Sequence, residues 1–289
     1  MQYSTTLNMK KKIFLIVSFL ICLCSNAQDD LLSTLDSTQV VDKSVTATFK
    51  ALQIITLQST KLAAKKEFYI VISHRFGSVK GGISEFFGFD DATTKIGGIY
   101  GVTNWLSVSA SHHTLLKINE ASAKFRLMKQ SEDFPVDIVG YSTIDFNSGL
   151  KEDDYPKIEF SDRLSYINQV LISRKFSDKI SLELAPSFIH KNLYNPEIEN
   201  DNQFTLGAGG RLKLTKRLSL NLEYAQNFNK PAFYNNPLSV GLDIETGGHV
   251  FQLLFTNSQS MTESGYLTSA SGDWGNGDFF FGFNLYRVF

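Results

Sequence analysis

From Glu67 to Phe289, apolar side chains return at every second position within segments of about ten residues. A period of two marks a strand, because successive side chains leave a pleated backbone on opposite faces. The last stretch, GDFFFGFNLYRVF, carries the pattern in aromatic residues. One row holds Phe279, Phe281, Phe283 and Leu285 and closes on Phe289, while the other holds Phe280, Gly282, Asn284, Tyr286 and Val288. About twelve such segments run near 67–77, 92–102, 104–113, 119–129, 134–146, 161–174, 179–191, 203–214, 217–228, 237–244, 248–257 and 278–289.

The connections alternate as well. Those after the second, fourth, sixth, eighth and tenth segments are short (VTN, QSED, KFSD, TKR, ETGG), whereas most of the others are long and polar, such as NSGLKEDDYPKIEF and TNSQSMTESGYLTSASGDWGNG. Tight turns at one end and long loops at the other are the mark of a bacterial outer-membrane barrel. The phase of the side chains agrees. One row reads Leu218, Leu220, Leu222, Tyr224 and continues in Leu238, Val240, Leu242, Ile244; the opposite row reads Ser219, Asn221, Glu223, Ala225. Such a chain is apolar outside and polar inside, the reverse of a soluble barrel. A secreted β-sandwich would also alternate, but it would bury its apolar rows against each other and show no parity of loop length. The expected fold is therefore all-β: a transmembrane antiparallel up-and-down β-barrel of about 12 strands. Pro186 stands in the middle of the seventh segment and removes a ladder donor, which calls for a bulge or a shorter strand.

Ahead of the barrel, MKKKIFLIVSFLICLCSNAQ joins a basic stretch, an apolar core and small residues, the pattern of a secretory signal peptide cleaved after Ala27. Both cysteines, Cys22 and Cys24, fall inside this leader, so the exported chain is expected to hold neither a disulfide nor a thiol nucleophile. The expected division is 1–27 signal peptide, 28–66 an N-terminal periplasmic or plug segment, and 67–289 the barrel. The stretch SVTATFKALQIITLQST is too apolar to hang free in the periplasm, which leaves a plug, a periplasmic cap or an extra strand. A net charge of -1 without a Lys/Arg-rich run excludes nucleic acid as a partner.

Two stretches, FYIVISHRFG (68–77) and FFGFDDATTKIGGIYGVTNWLSVSASHH (86–113), resemble a family of outer-membrane β-barrel proteins of unknown function common in Bacteroidetes-type Gram-negative bacteria. The resemblance implies the location and the fold but no substrate. The terminal Phe289, with Phe281, Phe283 and Leu285 before it, resembles the C-terminal signal that the barrel assembly machinery reads, although Arg287 stands where such signals place an aromatic.

The inward row collects charges of both signs. Arg75, Lys95, Lys124, Arg126, Glu183, Arg211 and Glu223 are the candidates for a pore lining that selects small hydrophilic solutes. The competing expectation is that opposite charges pair across a narrow lumen and hold a closed structural or partner-docking barrel shut. A lipid hydrolase needs a serine, a histidine within hydrogen-bond reach and a third group to orient it. Ser111 and His112 are adjacent in a strand and point to opposite faces, so this pair does not supply that geometry. The acidic loops lack the regular spacing of a calcium loop, and GDWGNGD does not lie between a strand and a helix as a phosphate cradle would. No cofactor or metal is expected. The expected partners are outer-membrane lipid, the assembly machinery and a periplasmic protein.

Overall fold

The computed structural model describes residues 48–289. The signal-peptide expectation, and the part of the N-terminal segment before Thr48, lie outside the described residues. Twelve strands form one closed barrel: β1 (Phe68–Ser78), β2 (Ala92–Gly101), β3 (Leu106–His113), β4 (Ile118–Met128), β5 (Asp137–Asn147), β6 (Leu164–Lys175), β7 (Ile180–Lys191), β8 (Asn202–Lys213), β9 (Leu218–Asn227), β10 (Leu238–Thr246), β11 (His249–Thr256) and β12 (Phe280–Val288). Each strand pairs antiparallel with the next, and β12 closes on β1 with Tyr69 opposite Val288 and His74 opposite Phe283. Closure leaves no strand edge unpaired, which is the condition for crossing a hydrocarbon layer. Among the described residues, no helix is long and apolar enough to cross a membrane, so the strands do the crossing.

The alternation read from the sequence is the alternation in space. Phe204, Leu222, Phe251 and Leu253 are exposed on the outer wall, while their strand neighbours Thr205, Glu223 and Gln252 are buried. On β12, Phe280, Gly282, Asn284 and Tyr286 turn inward, and Arg287 stays exposed with its guanidinium 4.7 Å from the Phe289 ring centroid. This cation–π contact supports a charge at the barrel's end, next to the aromatic residue that closes the chain.

Pro186 is accommodated without a bulge and without shortening β7, contrary to expectation. Gln169 pairs Ser187 and Ile172 pairs Leu184 in one unbroken register, and the ladder with β6 simply lacks the two pairs between them. The ladder with β8 continues through Pro186 opposite Leu206. The missing N–H therefore costs pairing on one side only, because a strand's amides alternate between its two neighbours.

Residues 48–63 lie inside the barrel, and 64–66 are exposed beside the β2–β3 turn. The inner stretch folds back at a tight turn where Ile54 N–H donates to the Leu57 carbonyl (2.8 Å) and Ser59 N–H to the Leu52 carbonyl (3.1 Å). Phe49, Leu52, Ile54, Ile55, Leu57 and Leu62 are all buried. The four buried apolar clusters each contain residues of this segment packed on the wall, such as Leu57 with Ile167, Ile189 and Ala225, or Phe49, Ile54 and Ile55 with Leu254. The inner core of the molecule thus forms between the segment and the barrel. Room for it comes from glycines on the inward rows: a Cβ at Gly209 would stand 2.3 Å from Ile54 Cδ1, and one at Gly241 would stand 3.1 Å from Ile55 Cδ1.

Candidate functional site: the filled lumen

The turn at residues 54–57 points three backbone N–H groups at one carboxylate. Ile55, Thr56 and Leu57 donate to Glu223 on β9 at 3.0, 2.9 and 3.0 Å. Successive amides in a turn form an anion-binding concavity, and here the anion belongs to the wall. The opposite partner set is a cation: Lys124 Nζ on β4 donates to the carbonyls of Leu52 (2.9 Å), Ser59 (2.9 Å) and Lys61 (3.2 Å). Glu183 accepts from Thr60 N–H (3.0 Å), and Arg126 donates to the Thr60 carbonyl (3.2 Å). A segment without regular secondary structure has unpaired amides and carbonyls, and burying them without partners would cost far more than packing could return. The wall charges supply those partners.

All seven pore-lining candidates face inward, and each is engaged by protein. Arg75 reaches Asn284 Oδ1 (3.0 Å) and Thr56 Oγ1 (3.3 Å). Lys95 pairs with Glu120 and donates to the Met261 carbonyl (2.9 Å). Arg211 pairs with Glu245 (3.2 Å), which also meets Lys50 of the inner segment (3.2 Å). Of the two arrangements the sequence leaves open, these side chains do not form a charged ring around open water; they hold polypeptide in the lumen. Three further inward residues serve the same purpose. Gln252 donates to the Ile54 carbonyl (2.5 Å), Asn284 to the Ile55 carbonyl (2.8 Å) and Tyr286 to Gln53 Oε1 (2.8 Å). They escaped selection because they are uncharged. Inward glycines on nearby strands were the available signal, since glycine in a strand marks close approach of another backbone.

From the other end, a loop expected to be external folds into the lumen. Between β11 and β12 a short helix, α1 (Glu263–Thr268), is capped by Thr262, whose Oγ1 accepts from Gly265 N–H, and Glu263, Ser264, Tyr266, Leu267 and Thr268 are buried. Ser264 donates to Asp145 on β5, Asn227 Nδ2 to the Leu267 carbonyl (3.2 Å), and Tyr266 shares a hydrogen bond with Ser239 (3.0 Å). The loop also meets the inner segment: Gln58 Nε2 donates to Glu263 Oε1 (2.7 Å), and Tyr266 and Leu267 share a cluster with Leu57. Burial raises the Glu263 carboxyl to about 7, with the Gln58 hydrogen bond opposing the shift.

A closed twelve-strand barrel with an apolar outer band, lumen charges and alternating turn lengths is an outer-membrane β-barrel, and it lies in the outer membrane of a Gram-negative bacterium. Residues 49–289 match the family described as "Membrane bound beta barrel domain (DUF5777)", and the chain belongs to that family. Solved structures with a similar fold include the NanC porin, at 9% identity and a TM-score of 0.51, with 77% of this chain and 99% of that chain covered. The KdgM porin aligns at 11% identity with a TM-score of 0.48, over 76% of this chain and 99% of that one. The outer-membrane protein Omp33 of Acinetobacter baumannii aligns at 10% identity with a TM-score of 0.41, over 78% and 100%. At these identities the likeness concerns the fold alone. No curated protein matched the chain.

Proposed function

We propose that this protein is a plugged outer-membrane passage for small hydrophilic solutes, opened when residues 48–63 leave the lumen. The observation that carries the reading is the chemistry of the plug's attachment. Its backbone is held by hydrogen bonds to Glu223, Lys124, Glu183 and Arg126. These are groups that water and ions can hydrate once the segment is gone, so the vacated lumen would be a charged aqueous channel. The porin fold of the NanC neighbour is compatible with this reading and adds no solute to it.

The second reading is a permanently closed structural or docking barrel, favoured by α1, which fills the lumen from the side opposite the plug's entry and contacts its turn. Planar-bilayer recordings separate the two. The chain lacking residues 48–63 should give stable conductance steps with a measurable reversal potential, against few or none for the full chain. A deletion that folds, as judged by heat-modifiable mobility, yet stays silent would overturn the passage and leave the docking barrel. In the open form, neutralising Arg126 and Arg211 together should shift selectivity toward cations.

A further inference from the structure

On the outer wall, polar side chains keep to the strand ends. His112 with Asn119, and His190 with Asn202, pair near one end, while Arg174, His249 and Arg287 sit near the other. Two pairs depart from this rule: one is His74 of β1 with Thr94 of β2, which share a hydrogen bond of 2.9 Å, and the other joins Ser142 and Asn168. Ser142 is the middle residue of β5 and faces Asn168 of β6 directly across the ladder, with Ser142 Oγ donating to Asn168 Oδ1 at 2.7 Å. That is the one hydrogen bond of the Asn168 side chain among the described residues, so its exposed Nδ2 is a donor without an acceptor near the middle of the strands. Polar groups in hydrocarbon are costly, and those that persist there mark function or a partner.

The same spot is concave. A recess of about 660 Å³ opens outward over β5, β6 and β7, within the size range of small-molecule sites. Small outward residues make its floor: Gly140, over whose edge the Phe125 ring leans, Ser142, and Pro186, beside the gap in the β6–β7 ladder. Aromatic ridges bound it, with Phe125 on one side and Phe188, Phe204 and Phe228 on the other, and the Phe188 and Phe204 rings pack 5.1 Å apart at a tilt of 49°. A hydrogen-bonding floor between apolar ridges, facing hydrocarbon, selects an occupant that is apolar along its length and carries one oxygen. A second barrel is convex, and raised ridges on both sides keep its wall off the floor; a single acyl chain is narrow enough to enter.

We propose that this recess binds the acyl chain of a membrane lipid through an oxygen on that chain, a hydroxyl or an ester, which accepts from Asn168 Nδ2. The site is independent of the passage through the lumen. It is tested by equilibrium binding of radiolabelled 12-hydroxystearate and stearate to the refolded full chain, with heat-modifiable mobility as the folding control. One added neutral hydrogen bond should favour the hydroxylated chain by roughly three- to tenfold. Asn168→Leu should remove that preference while keeping stearate binding, and Ser142→Phe, which fills the recess, should weaken both. Equal affinities in the unaltered protein, or a preference that survives Asn168→Leu, would overturn the proposal. Disulfide dimers forming through Ser142→Cys in a bilayer would also overturn it, by showing that a second copy covers the recess.

Discussion

Leu222 and Glu223 are consecutive in β9, yet Leu222 keeps 54% of its surface exposed and Glu223 keeps none. The two walls they belong to solve the same problem by different means. The outer wall needs only apolarity, because its solvent is lipid and any tail will serve, so Leu, Phe and Val exchange places along it. The inner wall needs particular partners, because its polar groups are shut off from bulk water, and many of them meet a specific atom of the plug, of α1 or of a neighbouring strand. Composition is therefore enough to build one wall, while only a match between distant segments builds the other.

The largest expected way to break this contrast is Glu223→Leu. It leaves the three N–H groups of residues 55–57 buried without an acceptor, at a cost of about 3–5 kcal/mol to plug docking. Thiol labelling of a cysteine placed at Ile55 should accelerate, and unchanged labelling would mean that Glu223 does not hold the plug. The neighbour tests the converse. Leu222→Arg should lower the barrel's denaturant stability by about 2–4 kcal/mol and leave labelling of the plug as it was. Gly209→Val should come next, because its added side chain enters the space of Ile54 and overpacking typically costs about 1–3 kcal/mol. It should loosen the plug while the outer wall is untouched.

A smaller effect comes from pH. Burial raises the Glu263 carboxyl from 4.5 to about 7, with Glu120 and Glu223 adding to the shift and Gln58 and Lys95 opposing it. A raised carboxyl favours the docked loop in its protonated form, so this contribution is complete below about pH 4.5 and lost as pH rises through about 7. A cysteine at Leu267 should label faster at pH 8 than at pH 5, and Glu263→Gln should flatten the difference. The smallest effect on the finished barrel belongs to removal of Phe289. We propose that Phe281, Phe283, Leu285 and Phe289 form the assembly signal, so the truncated chain should insert more slowly in cells while the refolded barrel loses only about 1 kcal/mol with the end pairing to Phe68. Normal insertion in cells would remove Phe289 from that role.

Much of this is legible in the residue pattern alone. The twelve strands fall within a few residues of the alternating segments, and Leu218, Leu220, Leu222 and Tyr224 face outward as their phase requires. Period two is a local property, written residue by residue. Pro186 was less legible, because whether a missing donor matters depends on which neighbour its amide would have faced. Among the lumen residues, charge alone singled out Glu223 and Lys124 but passed over Asn284, Gln252 and Tyr286, which bind the plug just as directly. The helix α1 was hidden for a related reason. TNSQSMTESGYLTSASGDWGNG has the polarity of a solvated loop, and its hydroxyls and carboxylate are satisfied by wall residues far away in the chain, such as Asp145 and Gln169.

By itself, then, the sequence determined a membrane-spanning barrel, its strand count, its inside and its outside, since strand alternation and turn length are set by neighbours in the chain. What fills the barrel was decided only in three dimensions. Glu223 meets Thr56 across 167 residues, and Gln58 meets Glu263 across 205. The mid-strand pair of Ser142 and Asn168 likewise exists only because the β5–β6 register sets the two side by side. Contacts of that span are fixed by closure of the barrel, which no local pattern of residues encodes.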